Sequence, residues 1–228
     1  MRLEYLPLLP DSERVEISSA PFEVLKKDLN RIGVELDDEE LKRIKHASTP
    51  TAVRAGNLIL SQCRIADRII FLTKGIAASE QNWPDGTSTI GRFFEHADFC
   101  TNLASAWSCD MASEDLLAIT DVMGLAFPAQ WFQREYLHGN GFGTYLRWRI
   151  MEAHLFDRDL ICVKTSARMD KRYGFLKTHH RDVIGRTPQK DIARFLGVTP
   201  QGLSRYLRRL KAHKPNHGEI KRERKPSA

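Results

Sequence analysis

Two Thr-Pro pairs, Thr187-Pro188 and Thr199-Pro200, constrain this 228-residue chain more than any other feature. Each reads as a helix start, with a hydroxyl at the cap and a proline at the first helical position, where its missing N–H costs nothing. Between them run Ile192, Ala193, Phe195 and Leu196, and Gly197 follows where the backbone must turn through a left-handed conformation. Beyond the second pair Leu203, Tyr206, Leu207 and Leu210 recur at helical spacing. The pattern predicts two short helices that cross closely at the small Ala193 and bury a shared apolar face against a domain beneath, a helix-turn-helix. Gly202 is the one discord, since glycine inside a helix costs about 1 kcal/mol.

That inner face leaves Gln201, Ser204, Arg205 and Arg208 on the outer side of the second helix. These are the side chains a DNA major groove would meet. Arginine can donate two hydrogen bonds to guanine and glutamine can pair with adenine, each contact giving about 1–3 kcal/mol of discrimination. Gln201, Ser204 and Arg205 are therefore the expected base contacts, and Thr199, Arg208 and Arg209 the expected phosphate contacts.

Charge is segregated in the same sense. From residue 164 to the end there are 18 lysines and arginines against five acids, whereas the preceding residues carry 17 against 24. A mildly acidic body with a basic end suits a protein that presents only that end to a polyanion, because each phosphate it neutralises releases condensed counterions. The last residues, 215–228, are basic and nearly free of apolar side chains, and read as a disordered tail that adds nonspecific DNA affinity.

The rest of the chain divides by periodicity. Phe22, Leu25, Leu29, Ile32, Leu36, Leu41 and Ile44 recur every three to four residues and predict helix over residues 21–45. Short runs of β-branched and aromatic residues follow at 57–60, 68–72, 87–93, 115–120 and 122–127, separated by turn signals such as Arg54-Ala55-Gly56-Asn57, Lys74-Gly75 and Pro84-Asp85-Gly86-Thr87. Such evenly spaced short strands suit a jelly roll or barrel. A helix at 128–137, a glycine-rich loop at 138–143, a long helix from about 144 to 166 and a short one at 168–180 lead into the basic end. The long helix carries Leu146, Trp148, Ile150, Met151, Leu155, Leu160, Ile161 and Cys162, too broad a stripe for one solvated side, so that part of it can meet a second copy.

An apolar fraction of 42% with 28% charged residues is ordinary for a globular protein. No stretch approaches the roughly 18 apolar residues of a membrane span, and Glu4 and Pro7 interrupt the place of a secretory signal, so a cytoplasmic protein is expected. Cys63, Cys100, Cys109 and Cys162 form no C-x-x-C pair and read as reduced, buried thiols, with Cys100 and Cys109 the pair that could act as a redox switch. His96, His138 and His154 are the candidate haem ligands. Neither cofactor is expected.

A small antiparallel β domain, a long helix and a C-terminal helix-turn-helix together resemble the Crp/Fnr family of bacterial transcription regulators. The resemblance rests on Pro188 through Arg205, with the weaker pattern Arg54-Ala55-Gly56, Lys74-Gly75, Phe93-Phe94 and Asp98-Phe99. It implies an α+β chain: an N-terminal extension (1–21), a cyclic-nucleotide-binding-like β-roll sensor (22–137), a dimerisation helix (144–166) and a helix-turn-helix domain (167–214) before the tail, in which the two-stranded wing usual in the family reads as truncated from Lys211 on. It also implies a homodimer on a two-fold symmetric operator, with RNA polymerase as a candidate further partner. In the branch of the family with a Glu-x-x-Ser-Arg readout, the serine and arginine correspond to Ser204 and Arg205, while Gln201 stands in place of the acid.

Members that bind cyclic AMP hold its phosphate with an arginine that is absent here. The corresponding segments read Phe99-Cys100-Thr101-Asn102-Leu103 and Asp110-Met111-Ala112-Ser113-Glu114, whose acids oppose a buried phosphate. No cyclic-nucleotide binding is expected, and no cysteine before Cys63 could serve an iron–sulfur cluster. The effector is not legible. Two alternatives compete: a cupin-like metal enzyme, against which the sequence has no His-x-His, and a constitutive DNA-binding protein without effector.

Overall fold

The computed structural model describes residues 20–166 and 168–212. The basic tail, the segment expected to form a wing and most of the N-terminal extension lie outside the described residues. The chain begins with α1 (Ala20–Ile32) and α2 (Asp38–Ala47). The single helix expected over 21–45 is thus two: the first ends before Gly33 in a left-handed conformation, and Asp37 caps the second by accepting a hydrogen bond from the Glu40 amide at 2.7 Å.

Eight strands follow: β1 (Thr49–Val53), β2 (Leu58–Leu60), β3 (Arg68–Lys74), β4 (Ala77–Asn82), β5 (Ser88–Phe94), β6 (Phe99–Cys100), β7 (Asp115–Ala118) and β8 (Val122–Pro128). They pair only antiparallel, in two four-stranded sheets ordered β1-β8-β3-β6 and β2-β7-β4-β5, as a roll requires. Leu72, Ala77, Phe94, Leu116, Ala118 and Val122 form the apolar cluster of the roll. Gly75 makes the turn from β3 to β4 at φ +97°, and a Cβ there would lie 2.3 Å from the Asp121 carbonyl oxygen, so no other residue fits. A short helix, α3 (Leu103–Ser108), caps the roll between β6 and β7.

Two helices close the roll, α4 (Ala129–Leu137) and the 26-residue α5 (Gly141–Ser166), which starts three residues before the expected position. The first half of α5 packs Phe142, Tyr145 and Leu146 with Leu25 and Leu29 of α1, Phe132 of α4 and Phe71 and Phe127 of the roll. Its buried Tyr145 hydroxyl donates to Asp28 at 2.8 Å. The chain then runs through α6 (Met169–His179), α7 (Arg181–Arg186), α8 (Gln189–Leu196) and α9 (Pro200–Ala212). These C-terminal helices do not hang free: Ile192, Phe195, Leu196 and Leu203 share one apolar cluster with Ile76, Ala78, Ile90 and Phe93 of the roll and Leu160 of α5.

Candidate nucleic-acid interface and sensor cavity

The helix pair α8 and α9 is built as its sequence dictates, with three corrections. Gly197 closes α8 in the left-handed conformation, φ 66°, and Ala193 is fully buried. Thr199 accepts from the Gly202 amide at 3.1 Å, and Pro200 opens α9. Gly202 therefore sits in the capped first turn, where the interior penalty expected for it does not apply. The first Thr-Pro pair behaves differently: Pro188 itself is the cap residue of α8, and the Thr187 hydroxyl is buried without a hydrogen-bond partner rather than capping. The inner face is anchored by Leu203 at zero exposure, with Tyr206 and Leu207 half-buried, but Leu210 lies exposed rather than in the core.

On the outer side Gln201, Arg205, Arg208 and Arg209 are exposed and Ser204 is half-buried, all on α9. Thr199 is also exposed, at the start of that helix. The structure thus brings the six expected DNA-contacting residues to one exposed helix and its cap.

The rear of α8 is locked to the roll. Arg194 reaches across to Glu80 on β4 and to Ser88 on β5, while also pairing with Asp191 on its own helix at 3.1 Å. Phe195 packs on Phe93 at 4.9 Å between ring centroids. The Arg172 guanidinium donates to the Leu196 carbonyl at 3.0 Å. His180, buried at the α6–α7 junction, donates through Nδ1 to Glu95, which follows strand β5 of the roll, at 2.5 Å. Sequence reasoning missed the links to the roll because each joins residues 85 or more positions apart.

A cavity of about 660 Å³ lies between the roll and α5. Ile69, Phe94, Phe99 and Phe132 contribute its apolar wall, and Arg92, Arg149 and Lys164 its cations. Arg92 donates to Asp157 at 2.9 Å, and Arg149 pairs with Asp98 at 3.4 Å, with Asp28 at 3.5 Å and with Glu152. Burial pushes the Asp98 and Glu114 carboxyls up from their ordinary pKa, against the pull of Arg92. The volume is that of a site for one small molecule.

No protein-family model matches the sequence, and no curated protein does. Solved structures do. FixK2 from Bradyrhizobium japonicum superposes with a TM-score of 0.59 at 20% identity, over 72% of this chain and 85% of that one. A crp/fnr-family transcriptional regulator from Eubacterium rectale gives 0.60 at 16% identity, over 78% and 84%. The c-di-GMP-responsive regulator CLP of Xanthomonas campestris gives 0.57 at 13% identity, over 77% and 92%. The chain has the Crp/Fnr fold.

Within that Crp/Fnr fold, Phe99, Thr101 and Leu103 of the first segment expected to replace a nucleotide-phosphate site line the cavity, but of the second only Glu114 does, and Asp110 is not among the lining residues. Asn102 caps α3, and its side-chain amide donates to Glu114 at 3.3 Å, so an acid lines the cavity there. Of the candidate haem ligands, His154 lines the cavity, His96 donates to the Thr73 carbonyl at 3.0 Å, and His138 ends α4 on the surface. Among the described residues no group of three or more His, Cys, Asp or Glu is arranged to hold a metal ion. The cysteines correct the sequence reading: only Cys100 is buried, while Cys63, Cys109 and Cys162 are exposed. Burial raises the Cys100 thiol far above its ordinary pKa, which suppresses the thiolate that exchange chemistry needs. No helix among the described residues is long and apolar enough to cross a membrane.

Proposed function

We propose that the chain is a cytoplasmic, homodimeric transcription regulator of the Crp/Fnr type, which binds a two-fold symmetric DNA operator and has no catalytic role. The observation that carries this reading is α9: Leu203 fixes one face in the core while Gln201, Arg205 and Arg208 stand exposed on the other at groove-reading spacing. Gln201, Ser204 and Arg205 read bases, and Thr199, Arg208 and Arg209 hold phosphates.

Dimerisation is supported by α5. Trp148, Met151 and Leu155 follow one another by three and four residues and are 55%, 56% and 45% exposed. That stripe is the seam two parallel helices would close. The cavity favours an effector-responsive protein over a constitutive one. Its carboxylates Asp98 and Glu114, together with the prior commitment of Arg92 and Arg149 to acids, argue against cyclic AMP as that effector.

The direct test is selection from random or genomic DNA fragments by the purified chain. Recovery of a palindromic consensus supports the reading. Recovery without any sequence preference contradicts it.

A further inference from the structure

The cavity is the effector site on the reading above, and its own charge distribution narrows the effector's chemistry. Two of its three cations are neutralised. Arg92 lies between Asp157 at 2.9 Å and Asp98 at 3.9 Å, and Arg149 between Asp98, Asp28 and Glu152. Lys164 differs. Its ammonium donates to the Ile90 carbonyl at 2.7 Å and the Gly91 carbonyl at 3.2 Å, and lies 4.6 Å from the centre of the Phe195 ring. Among the described residues no carboxylate pairs with it, and the charged group that acts on it is another cation, Arg172.

We propose that the cavity binds an apolar monoanion, a medium-chain or aromatic carboxylate, with its carboxylate seated against Lys164. A partly buried cation without a counter-charge is costly, and an anion supplied by the ligand removes that cost. Burial and Arg172 together lower the Lys164 pKa to about 8, the signature of that unmet charge. The body of the ligand must be apolar, because Ile69, Phe94, Phe99, Phe132, Ile150 and Leu160 line the cavity. Asp98 and Glu114 oppose a second negative group and so exclude polyphosphates.

The same residue ties the site to the DNA-binding end. Phe195 belongs to α8 and packs on Phe93 of the roll, so its ring is shared between that contact and the Lys164 ammonium. An anion that draws the ammonium into the cavity weakens the contact with Phe195, and ligand binding is thereby linked to how α8 is held.

Calorimetric titration of the full chain, without DNA, with octanoate, 3-phenylpropanoate, their neutral amides and cyclic AMP tests the assignment. We expect the carboxylates to bind about tenfold or more tightly than the amides, the scale of a charge-assisted hydrogen bond. Lys164→Gln should abolish that difference, and Lys164→Arg should retain it. Equal affinity for acid and amide, preference for cyclic AMP, or no binding of any probe would overturn the proposal. Specific DNA binding by the same preparation separates the two readings: intact DNA binding with no carboxylate binding sinks the ligand class alone, and carboxylate binding without DNA binding sinks the regulator reading alone.

Discussion

The guanidinium of Arg194, on the first helix of the helix-turn-helix, donates to the carboxylate of Glu80 on strand β4, 114 residues away, and both side chains are mostly shielded from solvent. This pair, with Phe195 against Phe93, makes the DNA-binding helices and the roll one packed unit. Removing one partner leaves the other poorly solvated and uncompensated, which costs about 1–3 kcal/mol. Arg194→Ala should therefore lower stability by about that amount and speed hydrogen exchange in α8. In a double-mutant cycle with Glu80→Ala the two effects should be non-additive by at least about 0.5 kcal/mol. Strict additivity would show that the contact does not hold the two parts together.

Two glycines with positive φ should respond unequally to alanine. At Gly197 the added Cβ would meet only the Arg172 side chain at 3.4 Å, so the cost is the left-handed backbone alone, about 1–2 kcal/mol. At Gly75 it would overlap the Asp121 backbone as well. Urea denaturation should rank Gly75→Ala clearly below Gly197→Ala, or show it unfolded. Equal losses would contradict the described β3–β4 turn.

The helix-turn-helix was legible because its signals are local: a capped Thr-Pro start, a turn glycine and apolar residues at helical spacing. Strand β4 was not. Its fully buried positions are the small Ala77, Ala78 and Ser79, and its outward Glu80 and Gln81 carry no strand signature, because Glu80 serves a contact with α8 instead. Strand β1 hid behind Pro50, which reads as a break but is tolerated at the edge of its sheet. Thr187 misled in the other direction: it has the composition of a cap, yet tertiary packing buries its hydroxyl and leaves the cap to Pro188. The cavity's lining comes from β3, β4, β5, the β6–α3 region, the residue before β7, α4 and α5, and no single stretch of sequence announces it.

Lys164 gives stability a pH dependence of defined sign. Its folded-state pKa, about 8, lies below the ordinary lysine value of 10.5. Between these values the unfolded chain binds the proton more strongly, so stability rises with pH across that window and the penalty for the charged form is fully present below it. Thermal unfolding from pH 7 to pH 10 should show the wild type gaining relative to Lys164→Met. Parallel curves would contradict the buried placement of the ammonium.

The exposed seam on α5 predicts an oligomeric state. Replacing Leu155 with Glu puts like charges at the two-fold axis of a parallel pair and should yield a monomer with an intact roll, read by sedimentation velocity and circular dichroism. A wild-type chain that already sediments as a monomer at micromolar concentration would remove the dimer from the account.

The central claim is that α9 reads DNA sequence, and it is tested most directly by measuring the affinity of wild type and Arg205→Ala for selected and scrambled operators across a salt series. The wild type should prefer the selected site at every salt concentration, and Arg205→Ala should lose about 1–3 kcal/mol of that preference with its salt slope nearly unchanged, whereas Arg208→Ala should weaken both complexes alike and reduce the slope by about 1. An affinity that follows salt alone, equal for both DNAs and indifferent to Arg205, would contradict it.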